Sequence, residues 1–419
     1  MNAKSDVAKI AGRFSVLAVV ALLVACGGGG SNTGENGGGG VTPVNNVVAV
    51  SANQGPANNF VNGLFTSVTI CVPGTTNCQT IPNVEIDTGS EGLRLLASQV
   101  TLSLPPVNDN TSNQLQECVQ FADGSYIWGP IVTADIQMAG EKGASNSVQL
   151  IPNPSPFAVP STCANGGGPD LNTLSSLGAN GIIGLGVFQQ DCGSACAPSS
   201  TQVPASYYLC PNTVCSPATV PLLLQLQNPV WTFPQDNNGF QITMPALQET
   251  GAVSVSGSMI FGVGTQTNNT LGTAKIYTAF ATGPDAGNFH TTYNSISYPG
   301  FIDSGSNGYY MLDAITLGQG MADCTTSGFS GFYCPAATTN FTMTNTGVNG
   351  TAGSVTFRIA NAVTLLNANN ASNWVFDDLG GPNSGLVDFG MPFFYGRTVF
   401  IGIENQTGPG GAVGPYWAF

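Results

Sequence analysis

From residue 45 onward the chain sets apolar and polar residues in short alternating runs, each closed by Gly, Pro, Asn or Asp. Val68, Ile70 and Val72 alternate with Ser67, Thr69 and Cys71; Phe240, Ile242 and Met244 alternate with Gln241 and Thr243. A period of two is that of a half-buried strand. The run from Cys118 to Met138 is two such stretches around Asp123 and Gly124, a pair favoured in tight hairpin turns. Gly181 to Gly186 is a short apolar run framed by Gly and predicts a buried strand. Nothing after it opens a helix, so it is not a phosphate-binding fingerprint. Further strands are expected near 275–280, 288–296, 301–303 and 354–358. Helix is expected only at 93–98 and at 220–226, where Pro221 suits a helix start. No solenoid-length repeat is present. Scarce Lys and Glu with abundant Gly, Pro, Thr and Asn also favour strands and turns. The class is therefore all-β, with few short helices.

Composition narrows the setting. Charged residues are 7% of 419, and the net charge is −14. So acidic and Lys-poor a chain argues against nucleic acid as a partner, because basic patches supply that affinity. Hydrophobic content of 42% excludes a disordered chain. Lys4, Lys9 and Arg13 precede an apolar stretch from Phe14 to Val24, too short for a membrane span. That stretch runs into Ala25 and Cys26, resembling a bacterial lipobox. Residues 1–25 are expected to be a lipoprotein signal peptide, and Cys26 the lipidated first residue. Residues 26–44 are rich in Gly, Ser and Asn and are expected to act as a flexible tether. Gly27 rather than Asp implies the outer membrane of a Gram-negative cell, facing the periplasm or the cell surface. With Cys26 set aside, ten Cys remain, an even number that implies disulfides in an exported chain. Cys71 with Cys78 and Cys324 with Cys334 are local pairs. Cys192, Cys196, Cys210 and Cys215 pair locally or cross-pair, and Cys118 and Cys163 are left for each other. A zinc site could be forced from the same Cys spacings, but an oxidising compartment disfavours it.

One tetrapeptide occurs twice. Val84, Glu85 and Ile86 run into Asp87, Thr88, Gly89 and Ser90; Phe301 and Ile302 run into Asp303, Ser304, Gly305 and Ser306. Each copy ends an apolar strand, and the halves of the chain hold one each. Two facing carboxyls cannot both ionise cheaply, so they share a proton, giving one base and one acid at one spot. Gly lets two loops approach where a Cβ would clash. The hydroxyl beside each Asp can bond the opposite backbone, and Ser90 or Ser306 can hold a carboxyl flat.

These loops resemble the catalytic loops of pepsin-like aspartic peptidases. Residues 121–129, with Phe121, Asp123, Gly124, Tyr126 and Trp128, resemble the flap hairpin that closes over substrate. Gly181 to Gly186, and Asp388, Phe389 and Gly390, resemble the apolar runs threading the psi loop of each lobe. Residues 221–244 resemble a helix-then-strand before the lobe junction, and 287–293 the strand preceding the second Asp. The chain is also similar to bacterial exported lipoproteins described as a domain of unknown function. The resemblance implies a bilobal fold with a central cleft, the lobes at 45–264 and 265–419. It implies an aspartic endopeptidase whose dyad is Asp87 and Asp303, acting on an extended peptide without cofactor or metal, as a monomer. It also exposes departures. Phe121 stands where the flap usually has Tyr, and Arg94 where that Tyr finds a Trp, so the flap bond is absent or rebuilt with Tyr126 or Trp128. Glu85 shares a face with Asp87 by alternation, either as a third carboxylate lining the pocket or as a solvated strand residue. Met391, replacing a frequent Asp, reads as packing.

Other readings fit less well. A pepsin-fold protein without activity would bind peptide or glycan, or serve a structural role in the envelope. Actin-like ATPases also use the tetrapeptide twice, but need long helices and a cytosolic address. A Ser-His-Asp hydrolase would depend on the single His290, and no nucleophile elbow accompanies it. Asn108, Asp109 and Asn110 lack calcium-loop spacing and read as a turn; Asp377 and Asp378 read as loop caps.

Overall fold

The structure is a computed structural model that describes residues 46–419 apart from 110–111, 202, 212–213 and 368–371. The signal peptide, Cys26 and the tether therefore lie outside the described residues. No helix among the described residues is long and apolar enough to cross a membrane.

Among the described residues the chain forms strands joined by turns, with α-helix only at Leu174–Leu177, Ala314–Leu317 and Ala362–Asn367. Two sheets carry the strands. The larger has fifteen strands and the smaller seven. One end of the larger sheet draws from both ends of the chain. Val47–Asn53 pairs with Val255–Phe261, which pairs with Gly239–Met244 and then Arg397–Gly402. Tyr416–Ala418 continues this sheet and Ile276–Thr278 closes it.

A local motif recurs in both halves. Cys78–Asp87 runs parallel to Gly181–Leu185, which is antiparallel to Glu91–Leu96 on its other side. Ile296–Ile302 runs parallel to Asn383–Phe389, which is antiparallel to Tyr309–Leu312. The middle strand of each trio is covered on both faces where it meets its neighbours, hence the apolar Ile182, Ile183 and Leu185. Each trio thus anchors one Asp loop at the end of a strand that cannot slip without moving core side chains to the wrong face. In the second half that core is aromatic: Phe389 packs against Phe289, Tyr309, Phe357 and Phe393. Each fully buried Phe contributes about 1.5–3 kcal/mol.

Both helix expectations fail. Residues 93–98 lie largely in the strand Glu91–Leu96, followed by a 3-10 turn at Ala97–Gln99. Leu93 and Leu95 lie on one face and Leu96 on the other, all buried, so the run satisfies two faces of a sheet. Residues 220–226 hold only the 3-10 turn Leu222–Leu224. Leu222 and Leu223 are exposed there, so no apolar stripe anchors a longer helix.

The Cys pair as Cys71–Cys78, Cys118–Cys163, Cys192–Cys196, Cys210–Cys215 and Cys324–Cys334. The alternative left open is thereby decided for local pairing. Asp377 and Asp378, read as loop caps, also serve as ion-pair partners. Both face Arg358, at 3.2 and 3.6 Å, with Glu249 at 2.7 Å. His290 sits on the strand Phe289–Tyr293 with its ring edge-on to Phe280. Met391 is fully buried.

Candidate active site

The two Asp loops meet by exchanging bonds. Thr88 Oγ1 donates to the Ile302 carbonyl at 3.0 Å, and Ser304 Oγ to the Ile86 carbonyl at 2.7 Å. Each hydroxyl oxygen also accepts the opposite backbone N–H: Ser304 N to Thr88 Oγ1 at 2.9 Å, and Thr88 N to Ser304 Oγ at 3.2 Å. Four bonds of this kind between strand ends fix both the distance and the twist of the loops. Glycine makes the approach possible. A Cβ on Gly89 would lie 2.8 Å from the Asp303 carboxyl carbon, and one on Gly305 would lie 2.6 Å from Asp87 Oδ1.

Both carboxyls are held in the same way. Asp87 Oδ1 accepts from Gly89 N at 2.9 Å and Oδ2 from Ser90 Oγ at 2.6 Å. Asp303 Oδ1 accepts from Gly305 N at 2.8 Å and Oδ2 from Ser306 Oγ at 2.9 Å. Asp87 and Asp303 are 5% and 4% exposed. Burial, the facing Asp87 charge and a hydrogen bond to Asp87 push the Asp303 carboxyl well above the usual range.

Glu85 is fully buried, so the solvated alternative fails. It stands opposite Ile182 from one side of that strand, while Arg94 stands opposite Ile182 from the other. Arg94, 2% exposed, takes a role unlike that of an aromatic flap partner. Its Nη2 meets Glu117 Oε1 at 2.6 Å and Asp191 Oδ2 at 3.8 Å, and its Nη1 donates to the Glu91 carbonyl. Burial, with Asp191 close by, pushes the Glu117 carboxyl up to about 8 against the pull of Arg94. Tyr207 donates to Asp191 Oδ1 at 2.7 Å and completes a buried ionic cluster.

Glu117 lies on Leu115–Gln120, the first strand of the hairpin, whose second strand begins at Tyr126. The turn is held by Asp123 Oδ1, which accepts from Ser125 N and Ser125 Oγ. Gly124 takes its tip at positive φ and packs against the backbone of Gly166. Phe121 is buried with Phe60, Phe65 and Leu177. Trp128 does not rebuild a flap bond. It lies in the core beside Cys118 and Cys163, edge-on to Tyr208, and its Nε1 has no partner among the described residues. Tyr126 bridges through its backbone to Asp170. Sequence reasoning missed the Glu117 and Asp191 partners of Arg94; the one signal was an Arg within an otherwise apolar strand.

A family model described as "Protein of unknown function (DUF3443)" matches residues 42–419. No curated protein matches the chain. Among solved structures, the crystal structure of an aspartic proteinase from Irpex lacteus is similar at 14% identity, covering 89% of this chain and 96% of that one, with a TM-score of 0.51. The likeness shows the fold: all-β, two-lobed and pepsin-like, as the paired loops implied.

Proposed function

The chain belongs to that family of unknown function, and we propose that it is an aspartic endopeptidase. The observation that carries the reading is the reciprocal bonding of the loops, which holds Asp87 and Asp303 face to face. In this mechanism a water sits between the carboxyls. Asp87 takes its proton as general base, and the water oxygen attacks the peptide carbonyl. Asp303 gives its proton to the carbonyl oxygen. Return of a proton to the amine then breaks the C–N bond. The substrate is an extended peptide under the hairpin of residues 121–129, its backbone pairing with the hairpin edge. Ser90 and Ser306 keep the carboxyls coplanar through the cycle. The lobes at 45–264 and 265–419 form the cleft, and Cys26 anchors the monomer by lipid at the outer membrane.

A second reading has its own support. Phe121 carries no hydroxyl and Trp128 lies in the core, which suits a silent peptide- or glycan-binding lipoprotein. Incubating the purified protein with a diverse peptide pool from about pH 3 to 7 separates the two. The endopeptidase reading expects new termini that vanish in both Asp87→Asn and Asp303→Asn. Peptide retention without cleavage by any form favours the binding module.

A further inference from the structure

A third acid lies against the pair and has no part in the mechanism above. On the strand Asn383–Phe389, Asp388 stands opposite Phe301 on one side and Tyr310 on the other. Phe301 is two residues before Asp303, so alternation turns Phe301, Asp388 and Asp303 to one face. The next residue, Phe389, turns the other way into the aromatic core. Asp388 is therefore aimed toward the dyad. It is 0% exposed, and neither carboxyl oxygen has a hydrogen-bond partner among the described residues. The titratable groups that face it are Asp303, Asp87 and Tyr310, with no cation among them.

An isolated carboxylate in such a place is far costlier than the neutral acid. Burial first, and then the Asp303 charge, hold Asp388 well above the usual carboxyl range, against a smaller downward pull from the neighbouring Ser306 hydroxyl. A neutral acid has one O–H to give. Beside it stands the Ser306 hydroxyl, whose proton goes to Asp303 Oδ2 and whose oxygen can still accept. A carboxyl torsion has a broad minimum, so turning Asp388 toward Ser306 is cheap and pairs an orphaned buried group. We propose that Asp388 is a positioning residue that stays neutral and supports Asp303 from behind by donating to the Ser306 hydroxyl. This rests on the reading of Asp87 and Asp303 as a working dyad. It adds a source for that dyad's pH behaviour, because ionising Asp388 would place a second negative charge beside Asp303.

Thermal unfolding against pH tests the inference without turnover. A carboxyl whose folded pKa is raised stabilises the fold fully below its unfolded value, and that contribution is lost as pH rises toward the folded value. Relative to wild type, Asp388→Asn should therefore gain Tm between about pH 4 and 8. Asp303→Asn and Ser306→Ala should each shrink that gain. Parallel wild-type and Asp388→Asn curves would overturn the inference, as would a gain untouched by Asp303→Asn and Ser306→Ala. Turnover supplies the second reading. Asp388→Leu, which cannot donate, should lower kcat about tenfold at unchanged KM, and Asp388→Asn should retain more of it. Equal kcat losses in the two variants would overturn the support of Asp303. If no form cleaves peptide, the endopeptidase reading fails, while the unfolding curves still decide for or against Asp388.

Discussion

Replacing Arg94 by Met isolates the buried ionic cluster beside the hairpin. Arg94 is the cation between Glu117 at 2.6 Å and Asp191 at 3.8 Å, and both Arg94 and Glu117 are almost wholly buried. Met matches much of the Arg stem but leaves two acids in the interior without a counter-charge. Breaking a buried pair from one side costs about 3–5 kcal/mol, a large share of a typical domain's stability. The cost depends on pH, and its sign follows from Glu117. With its folded pKa raised to about 8, Glu117 contributes stability that is fully present below its unfolded value and is lost as pH rises through about 8. Arg94 pulls that value down, so its removal moves the window higher. At about pH 5 Glu117 is neutral in both proteins; by about pH 9.5 it is ionised in the wild type, and the Arg94→Met deficit should be larger than at about pH 5 by up to about 2 kcal/mol. Adding Glu117→Gln to Arg94→Met should recover most of it, because a carboxamide needs no cation. Urea unfolding at the two pH values measures both effects. An equal deficit at both, or a double variant no better than the single, would refute this account of the cluster.

Three further outcomes follow from single features. Gly305→Ala puts a Cβ 2.6 Å from Asp87 Oδ1, so peptide hydrolysis should fall by about 100-fold with the circular dichroism spectrum retained. The Cys118–Cys163 bridge closes 45 residues between a hairpin strand and the loop behind it; replacing both by Ala should cost about 4 kcal/mol in urea unfolding. Burial, and then Asp377, push the Asp378 carboxyl up to about 7 despite Arg358. Its stabilising contribution is present below its unfolded value and is lost as pH rises through about 7, so Asp378→Asn should gain Tm on wild type between about pH 4 and 8.

The dyad was legible because its requirements are local. An Asp at a strand end, a hydroxyl, a Gly and a second hydroxyl each have a reason within four residues, and the second copy specifies the partner. Alternation likewise placed Glu85 on the Asp87 side, although only packing could decide whether water reached it. What stayed hidden depends on contacts distant in sequence. Arg94 and Glu117 are 23 residues apart, on strands that follow one another in the chain but have two others between them in the sheet. Asp388 could be seen as part of a psi-loop run, but its proximity to Asp303 comes from a parallel register that no local pattern encodes. The failed helix at 93–98 has the same origin: a short apolar run is ambiguous until the sheet supplies two faces to cover.

Peptide cleavage in oxygen-18 water examines the central claim most directly. If Asp87 and Asp303 activate a water, each new C-terminal carboxyl should carry one heavy oxygen after a single turnover. An added amine should capture no acyl group, and Asp303→Asn should yield no labelled product. Acyl transfer to the amine, or labelled product undiminished in Asp303→Asn, would contradict the account.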